Sequence, residues 1–236
     1  MYFLWLLLAL SGFHGRLPQT SAGCPEGGQP GLYSKSSIYL CFQAVDRGQR
    51  LLKIPSPNRS VILVVHGDGA EFQIAGRTVG SFPASHDQEV LWSADSRGLI
   101  VTSSFGASGP TTAYIKAVPG KGLPEAPDPR AMIRRDFAAR HRGVECSESV
   151  NVGGLGWKEE SRYVLLVAEI PTTPQCGNDW GYFDVYVISI PDGKIVHVYP
   201  MAEALTRFKS FLGPGLRRDV PKLPRDDTSP LQDSAP

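Results

Sequence analysis

The chain has 236 residues, of which 42% are hydrophobic and 20% charged, and its formal net charge is +1. This length suffices for one large domain or two small ones with a buried core. The near-zero charge excludes the general positive field by which many proteins attract nucleic acid, so we expect no nucleic-acid partner. The 25 glycines and 20 prolines favour many short elements joined by turns.

The N-terminal residues predict export. Residues 2–10, YFLWLLLAL, are apolar, too short for the roughly 20 residues of a membrane span and typical of a signal-peptide core. Small residues at Thr20 and Ala22 predict a signal peptide over 1–22, although no Lys or Arg precedes Leu4. The mature chain would then have no transmembrane segment and would be periplasmic or extracellular. Lipid anchoring at Cys24 and a buried N-terminal segment are the alternatives.

Four cysteines follow this segment: Cys24, Cys41, Cys146 and Cys176. An even number in an exported chain favours disulfides. Of the three possible pairings, we expect the local one, Cys24 with Cys41 and Cys146 with Cys176, because it closes the shortest loops. Unpaired buried thiols are the alternative. No C-x-x-C pair supports a zinc or thioredoxin-type site.

Short apolar runs recur along the chain between Gly, Pro, Asn, Asp and Ser, which predicts antiparallel strands. The runs span 37–45, 50–54, 60–67, 71–76, 89–93, 99–105, 112–118, 162–170, 181–190 and 194–200. Within the third run, both alternating faces are apolar, so we expect a strand covered on both sides. Asp68-Gly69 and Asp192-Gly193 predict hairpin turns.

Two segments have helical periodicity. The first, 129–142, begins at Pro129 and places Ile133 and Phe137 on one side. It lies in a predicted helical insert, 119–150. The second, 200–213, carries one apolar face, made of Met201, Leu205, Phe208 and Leu212. Residues 217–236 are poor in apolar side chains and predict a disordered tail.

Three segments share one layout, in which a short apolar stretch is followed by a polar turn and then by an apolar strand. They span 54–67, 91–104 and 155–169. Trp157 takes the place of Trp92, and Ser161-Arg162 the place of Ser96-Arg97. Residues 183–199 then supply two strands around a tight turn, which would complete a four-stranded unit.

This layout resembles the TolB-type, WD-like β-propeller repeat, whose blades open with Trp-Ser-Pro-Asp-Gly and continue into a strand. Trp92, Ser93 and Asp95 match that opening, whereas Ala94 and Ser96 replace its Pro and Gly. The resemblance covers about 55–200 and implies blade-like sheets that bind partners through their faces.

We therefore expect an all-β fold with two helices, in which antiparallel blade-like sheets form an open or small β-propeller-like domain over 23–216. At the roughly 40–45 residues of a regular blade, this length has room for about four blades. A β-sandwich that reuses similar hairpins is the alternative.

One motif is similar to an enzyme signature. His66-Gly67-Asp68-Gly69 follows an apolar run, as does the oxyanion loop of lipases and esterases. The required nucleophile elbow is incomplete, because Pro110 replaces the second Gly after Ser108 and lacks an N–H. His197 alternates with apolar residues, which predicts an outward strand position. We expect no enzyme activity, with a secreted esterase-like hydrolase using the 66–69 loop as the alternative.

Metal and cofactor signals are weak. His66 with Asp68, and His86 with Asp87, could each supply two ligands, but neither pair has a third ligand at metal-binding spacing. We therefore expect no metal and no cofactor.

Two segments are candidates for partner binding. The helix at 129–142 carries Arg134 and Arg135 among five arginines, which suits an anionic partner or simply a solvated face. Trp180 and Tyr182 follow Cys176 and would present aromatic rings on a pinned loop, or fill the core. We expect a non-catalytic binding or structural module whose partner is another exported or envelope protein.

Overall fold

A computed structural model describes residues 29–40, 52–66, 69–84, 88–104, 110–124 and 128–217. The predicted signal peptide, Cys24 and Cys41, Ser108 and the predicted tail beyond residue 217 lie outside these ranges. Within them the chain is mostly β-strand with two α-helices. For these ranges the predicted all-β class with two helices is thus confirmed.

The strands form three antiparallel sheets. Sheet 1 has the order β1 (Gln29–Pro30), β2 (Ile38–Leu40), β7 (Gln88–Trp92), β8 (Gly98–Ser103) and β9 (Thr112–Ala117). Sheet 2 contains β3 (Leu52–Pro55), β4 (Ile62–His66), β5 (Gly69–Ile74) and β6 (Arg77–Pro83). Sheet 3 contains β10 (Asn151–Lys158), β11 (Tyr163–Glu169), β12 (Phe183–Ser189) and β13 (Ile195–Pro200).

Sheet 1 lies between the other two sheets. Successive side chains of a strand point to opposite faces, so neighbouring residues of sheet 1 enter different cores. Leu99 and Val101 pack with sheet 2, whereas Ile100 between them packs with sheet 3. Likewise, Val90 packs with sheet 2 and Leu91 packs with sheet 3. The central sheet is therefore covered on both faces, and β8 is buried along its whole length.

Strand β4 has the two apolar faces that its sequence predicts. Leu63 and Val65 are buried in the core shared with sheet 1, and Val64 on the other face is only 3% exposed. The hairpin turns one residue earlier than predicted, because His66 pairs with Gly69. The connecting residues 67 and 68 lie outside the described ranges.

Both helices pack on sheet 3. Helix α1 (Arg130–Arg140) buries the predicted Ile133 and Phe137 against it. Helix α2 (Met201–Arg207) is shorter than predicted. Its apolar face still packs on the core, but beyond Phe208 the backbone pairs with another segment: the Lys35 N–H donates to the Phe211 carbonyl at 2.8 Å.

Strands β1, β6 and β10 were not predicted, and β10 shows why. Its sequence, NVGGLGWK, contains three glycines, which are rare in strands. Here the glycines allow the backbone of β10 to lie close to the side chains of Tyr33 and Ile100. A Cβ on Gly153 would lie 2.2 Å from Tyr33 Cδ1, and one on Gly154 would lie 2.4 Å from Ile100 Cγ2. Tight packing of sheet 3 on sheet 1 therefore requires residues that weaken the strand pattern.

The polar turns of the three similar segments lie side by side. Each has a residue with positive φ at the same position: Arg59 at 58°, Ser96 at 60° and Ser161 at 66°. The Asn58 N–H donates to Ser96 Oγ at 3.2 Å, and the Ser161 hydroxyl donates to Asp95 Oδ1 at 2.6 Å. These bonds join sheet 2 to sheet 1 and sheet 1 to sheet 3.

Cys146 and Cys176 form a disulfide with an S–S distance of 2.05 Å, as predicted. It joins the segment after α1 to the 3-10 turns of Pro174–Asp179. The predicted pairing of Cys24 with Cys41 lies outside the described residues. None of the helices in the described ranges is long and apolar enough to cross a membrane.

Candidate functional site

A cavity of about 230 Å³ opens where sheets 1 and 3 end together. We call it the acidic cavity because two glutamates, Glu89 on β7 and Glu169 at the end of β11, line it. The other lining residues are Leu32, Tyr33, Tyr39, Thr102, Ser104, Thr111, Asn151, Thr172, Gly215 and Leu216.

Glu89 holds the loop between β1 and β2 against sheet 1. Its side chain is 4% exposed, and its carboxylate accepts hydrogen bonds from the Leu32 N–H at 2.5 Å, the Tyr33 N–H at 3.2 Å and the Ser37 hydroxyl at 2.8 Å. Burial raises the pKa of Glu89 above its usual value, and these donors oppose the rise. A Cβ on Gly31 would lie 2.3 Å from Glu89 Oε2, so glycine is needed there.

Tyr33 connects the two acids. Its backbone N–H donates to Glu89, and its hydroxyl donates to Glu169 Oε2 at 2.9 Å. Burial, together with the charge of Glu169, raises the pKa of Tyr33 well above its usual value. The phenol therefore stays protonated at neutral pH and remains a donor.

Hydrogen bonds between sheets 1 and 3 fix the walls of the cavity. The Thr111 N–H donates to Asn151 Oδ1 at 2.8 Å, and the Thr111 carbonyl accepts from the Val152 N–H at 2.8 Å. The Gly154 N–H donates to Thr102 Oγ1 at 2.8 Å. Bonds of this kind hold a site in one shape before a ligand arrives.

The cavity combines an acidic interior with an apolar entrance. Among its described lining residues two are acidic and none is basic. Leu32 at the entrance is 46% exposed. Thr172, another lining residue, lies beside Gly181, whose added Cβ would be 3.6 Å from Thr172 Cγ2. Trp180, 44% exposed, directly precedes that glycine.

The structure separates the two aromatic residues predicted for binding. Trp180 is at the surface, whereas Tyr182 is only 9% exposed. The Tyr182 hydroxyl donates to Asp184 Oδ1 at 3.2 Å, and its ring centroid lies 4.8 Å from that of His141. His141 Nε2 in turn lies 2.8 Å from Asp184 Oδ2. Tyr182 thus helps to dock the end of α1 onto sheet 3, and only Trp180 is available to a partner.

The positive charge of α1 is partly neutralised by neighbouring carboxylates. Arg130 pairs with Asp128, and Arg140 Nε lies 2.6 Å from Asp136 Oδ2. Of the two predicted binding arginines, Arg134 is half-buried with its Nε 3.4 Å from the Val150 carbonyl, and Arg135 is exposed. Neither arginine is among the described residues that line the acidic cavity.

The histidines of the hydrolase hypothesis lie apart from the cavity. His66 Nε2 lies 3.2 Å from Glu71 Oε1, with 44% of the His66 side chain exposed. His197 is exposed on β13, as predicted. Residues 67 and 68 and Ser108 lie outside the described ranges. In the part of the chain that the structure describes, no three His, Cys, Asp or Glu residues are grouped for a metal ion.

Sequence reasoning did not identify Glu89, Glu169 or Tyr33. The available signal was a glutamate at one end of each of two apolar runs, EVLWS and RYVLLVAEI, since a charged residue is rarely buried without a reason. Comparison of the chain with protein-family models gave no match, and comparison with curated proteins gave none either.

Proposed function

We propose that the chain is an exported, non-catalytic binding module whose acidic cavity accommodates a group from another exported or envelope protein. The preformed cavity is the observation that carries this proposal. Its volume of about 230 Å³ is below the roughly 300–1,000 Å³ typical of sites for whole small-molecule ligands. This size favours a single side chain of a protein partner.

Export is supported by two independent features. The Cys146–Cys176 disulfide is typical of oxidising compartments, and the apolar residues 2–10 have the length of a signal-peptide core. We therefore propose a periplasmic or extracellular location after removal of residues 1–22, with lipid anchoring at Cys24 as the alternative.

We further propose that the three sheets are blades of an open or small β-propeller-like stack. Support comes from the meander order within sheets 2 and 3 and from the three polar turns, which contact one another in the order of sheet 2, sheet 1 and sheet 3. The resemblance of Trp92, Ser93 and Asp95 to the TolB-type blade opening points the same way. Such stacks present binding sites where strand ends of neighbouring blades meet, as they do at the acidic cavity.

Nuclear magnetic resonance of the full chain tests the binding function. N-acetyl N-methylamides of the amino acids, titrated individually, should shift the amide signals of Leu32, Tyr33 and Gly154. Thr172→Trp should remove these shifts by filling the entrance, and Thr206→Trp on the exposed side of α2 is the matched control. If no amino-acid derivative moves the cavity signals, the proposal is wrong. Turnover of a p-nitrophenyl ester that Ser108→Ala abolishes would favour the hydrolase instead.

A further inference from the structure

Resting on this proposed function, we infer that the acidic cavity accepts the ammonium group of a lysine side chain from the partner protein. The inference depends on three features that coincide at one place: a cavity between sheets 1 and 3, two carboxylates that line it, and the exposed apolar side chain of Leu32 among the lining residues.

The charge of the interior selects a cation. Glu89 and Glu169 line the cavity and are 4% and 7% exposed. Coulomb interactions are several-fold stronger at such partly dehydrated positions than in water. A carboxylate from a ligand would be repelled by these two acids, whereas an ammonium group would be attracted to them.

The entrance selects an aliphatic stem. Leu32 lines the cavity and is 46% exposed. Thr172, a second lining residue, lies next to Gly181, which follows the exposed Trp180 in the chain. Lysine places a flexible four-carbon chain behind its charge and buries that chain along apolar surfaces. Leu32 provides such a surface beside the carboxylates.

The polar walls suit an ammonium group better than a guanidinium. An ammonium has three donors that rotate around one compact charge, whereas arginine presents a planar fork that matches paired acceptors in one plane. The acceptors here come from separate strands: Glu169 on β11, Thr102 on β8 and Asn151 on β10. Because these acceptors belong to three different strands, the rotating donors of an ammonium suit them better than one planar fork.

Titrations of the full chain with four compounds test the inference. N-acetyl-lysine N-methylamide should bind at least ten-fold more tightly than the norleucine derivative, whose side chain ends in a methyl group, and more tightly than the arginine derivative. It should also bind more tightly than n-butylamine, which represents a free amine without a polypeptide backbone. Equal binding of the norleucine derivative, or tighter binding of the arginine derivative or of n-butylamine, would overturn the inference.

Variants locate the interaction. Glu169→Gln keeps an acceptor for the Tyr33 hydroxyl but removes the charge, and should weaken lysine-derivative binding at least ten-fold. Glu203→Gln, on the exposed side of α2, should leave it unchanged. Thr172→Lys, which places a competing ammonium at the entrance without touching the buried acids, should weaken binding at least ten-fold relative to Thr172→Met. Unchanged binding in both Glu169→Gln and Thr172→Lys would refute the inference.

The results separate this inference from the function on which it rests. If neutral or anionic amino-acid derivatives move the cavity signals and the lysine derivative does not, the binding function stands and the lysine assignment fails. If none of the derivatives moves them, the binding function itself fails.

Discussion

Asp95 joins the polar turn of sheet 1 to that of sheet 3, and replacing it should reveal how much this junction stabilises the fold. Its Oδ1 accepts hydrogen bonds from the hydroxyls of Ser93 at 2.7 Å and Ser161 at 2.6 Å, and its Oδ2 lies 2.7 Å from Arg97 Nε. Partial burial opposes ionisation, but these donors outweigh it and lower the pKa of Asp95 from 3.8 to about 2.

This change in pKa sets the expected magnitude. At 1.36 kcal/mol for each pH unit, the difference between 3.8 and about 2 corresponds to roughly 2 kcal/mol favouring the folded state when Asp95 is ionised. Because 21% of the side chain is exposed, solvent screening reduces this, and we expect Asp95→Asn to lower the free energy of unfolding by about 1–2 kcal/mol at pH 7.

The pH dependence follows from the direction of the change. A carboxyl group whose pKa is lower in the folded state stabilises that state above the unfolded pKa of 3.8 and ceases to do so as the pH falls towards 2. Wild type and Asp95→Asn should therefore differ in stability at pH 7 and at pH 5, and the difference should shrink between pH 4 and pH 2.

Urea unfolding followed by circular dichroism at these pH values measures the difference. Glu203→Gln, an exposed substitution on α2, is the control and should match wild type at pH 7 to within about 0.5 kcal/mol. The reasoning would be refuted if Asp95→Asn were as stable as wild type at pH 7, or if its deficit persisted undiminished down to pH 2.

Two further predictions concern packing and the covalent link. Gly153→Ala should lower the free energy of unfolding by about 1–3 kcal/mol, because the added Cβ would lie 2.2 Å from the Tyr33 ring. Gly69→Ala is the control, because its added Cβ would come no closer than 3.4 Å to a neighbouring atom, and equal urea midpoints of the two variants would contradict the close approach. Replacing Cys146 and Cys176 together by Ala should cost about 3–4 kcal/mol, since the bridge closes a segment with a sequence separation of 30; an unchanged midpoint under oxidising conditions would argue against the bridge.

Local patterns predicted most of the strands because alternation of apolar residues and turn chemistry act over a few neighbours. The Asp192-Gly193 hairpin illustrates this: Gly193 has φ of 65°, and the Ser189 N–H donates to the Lys194 carbonyl at 2.9 Å. Strand β10 was missed because its glycines serve contacts with Tyr33 and Ile100, which are distant in sequence. No local pattern encodes such contacts.

The length of α2 was overestimated for a related reason. The apolar spacing of residues 200–213 continues through Leu212, and Leu212 is indeed buried. The helix nevertheless ends at Arg207, and a few residues farther on the Phe211 carbonyl accepts a hydrogen bond from the Lys35 N–H. Periodicity predicted which side chains face the core, but it did not predict where the helix ends or that the following backbone pairs with a distant segment.

By itself, the sequence determined the all-β class, the two helices and the Cys146–Cys176 pairing, since alternation, helical spacing and cysteine separation are local properties of the chain. The tertiary structure decided which of the two predicted aromatic binding residues reaches the surface: Trp180 does and Tyr182 does not. It alone brought Glu89, Tyr33 and Glu169 together, because pairing within sheet 1 brings Tyr33 to Glu89 and the packing of sheet 3 on sheet 1 brings Glu169 to Tyr33.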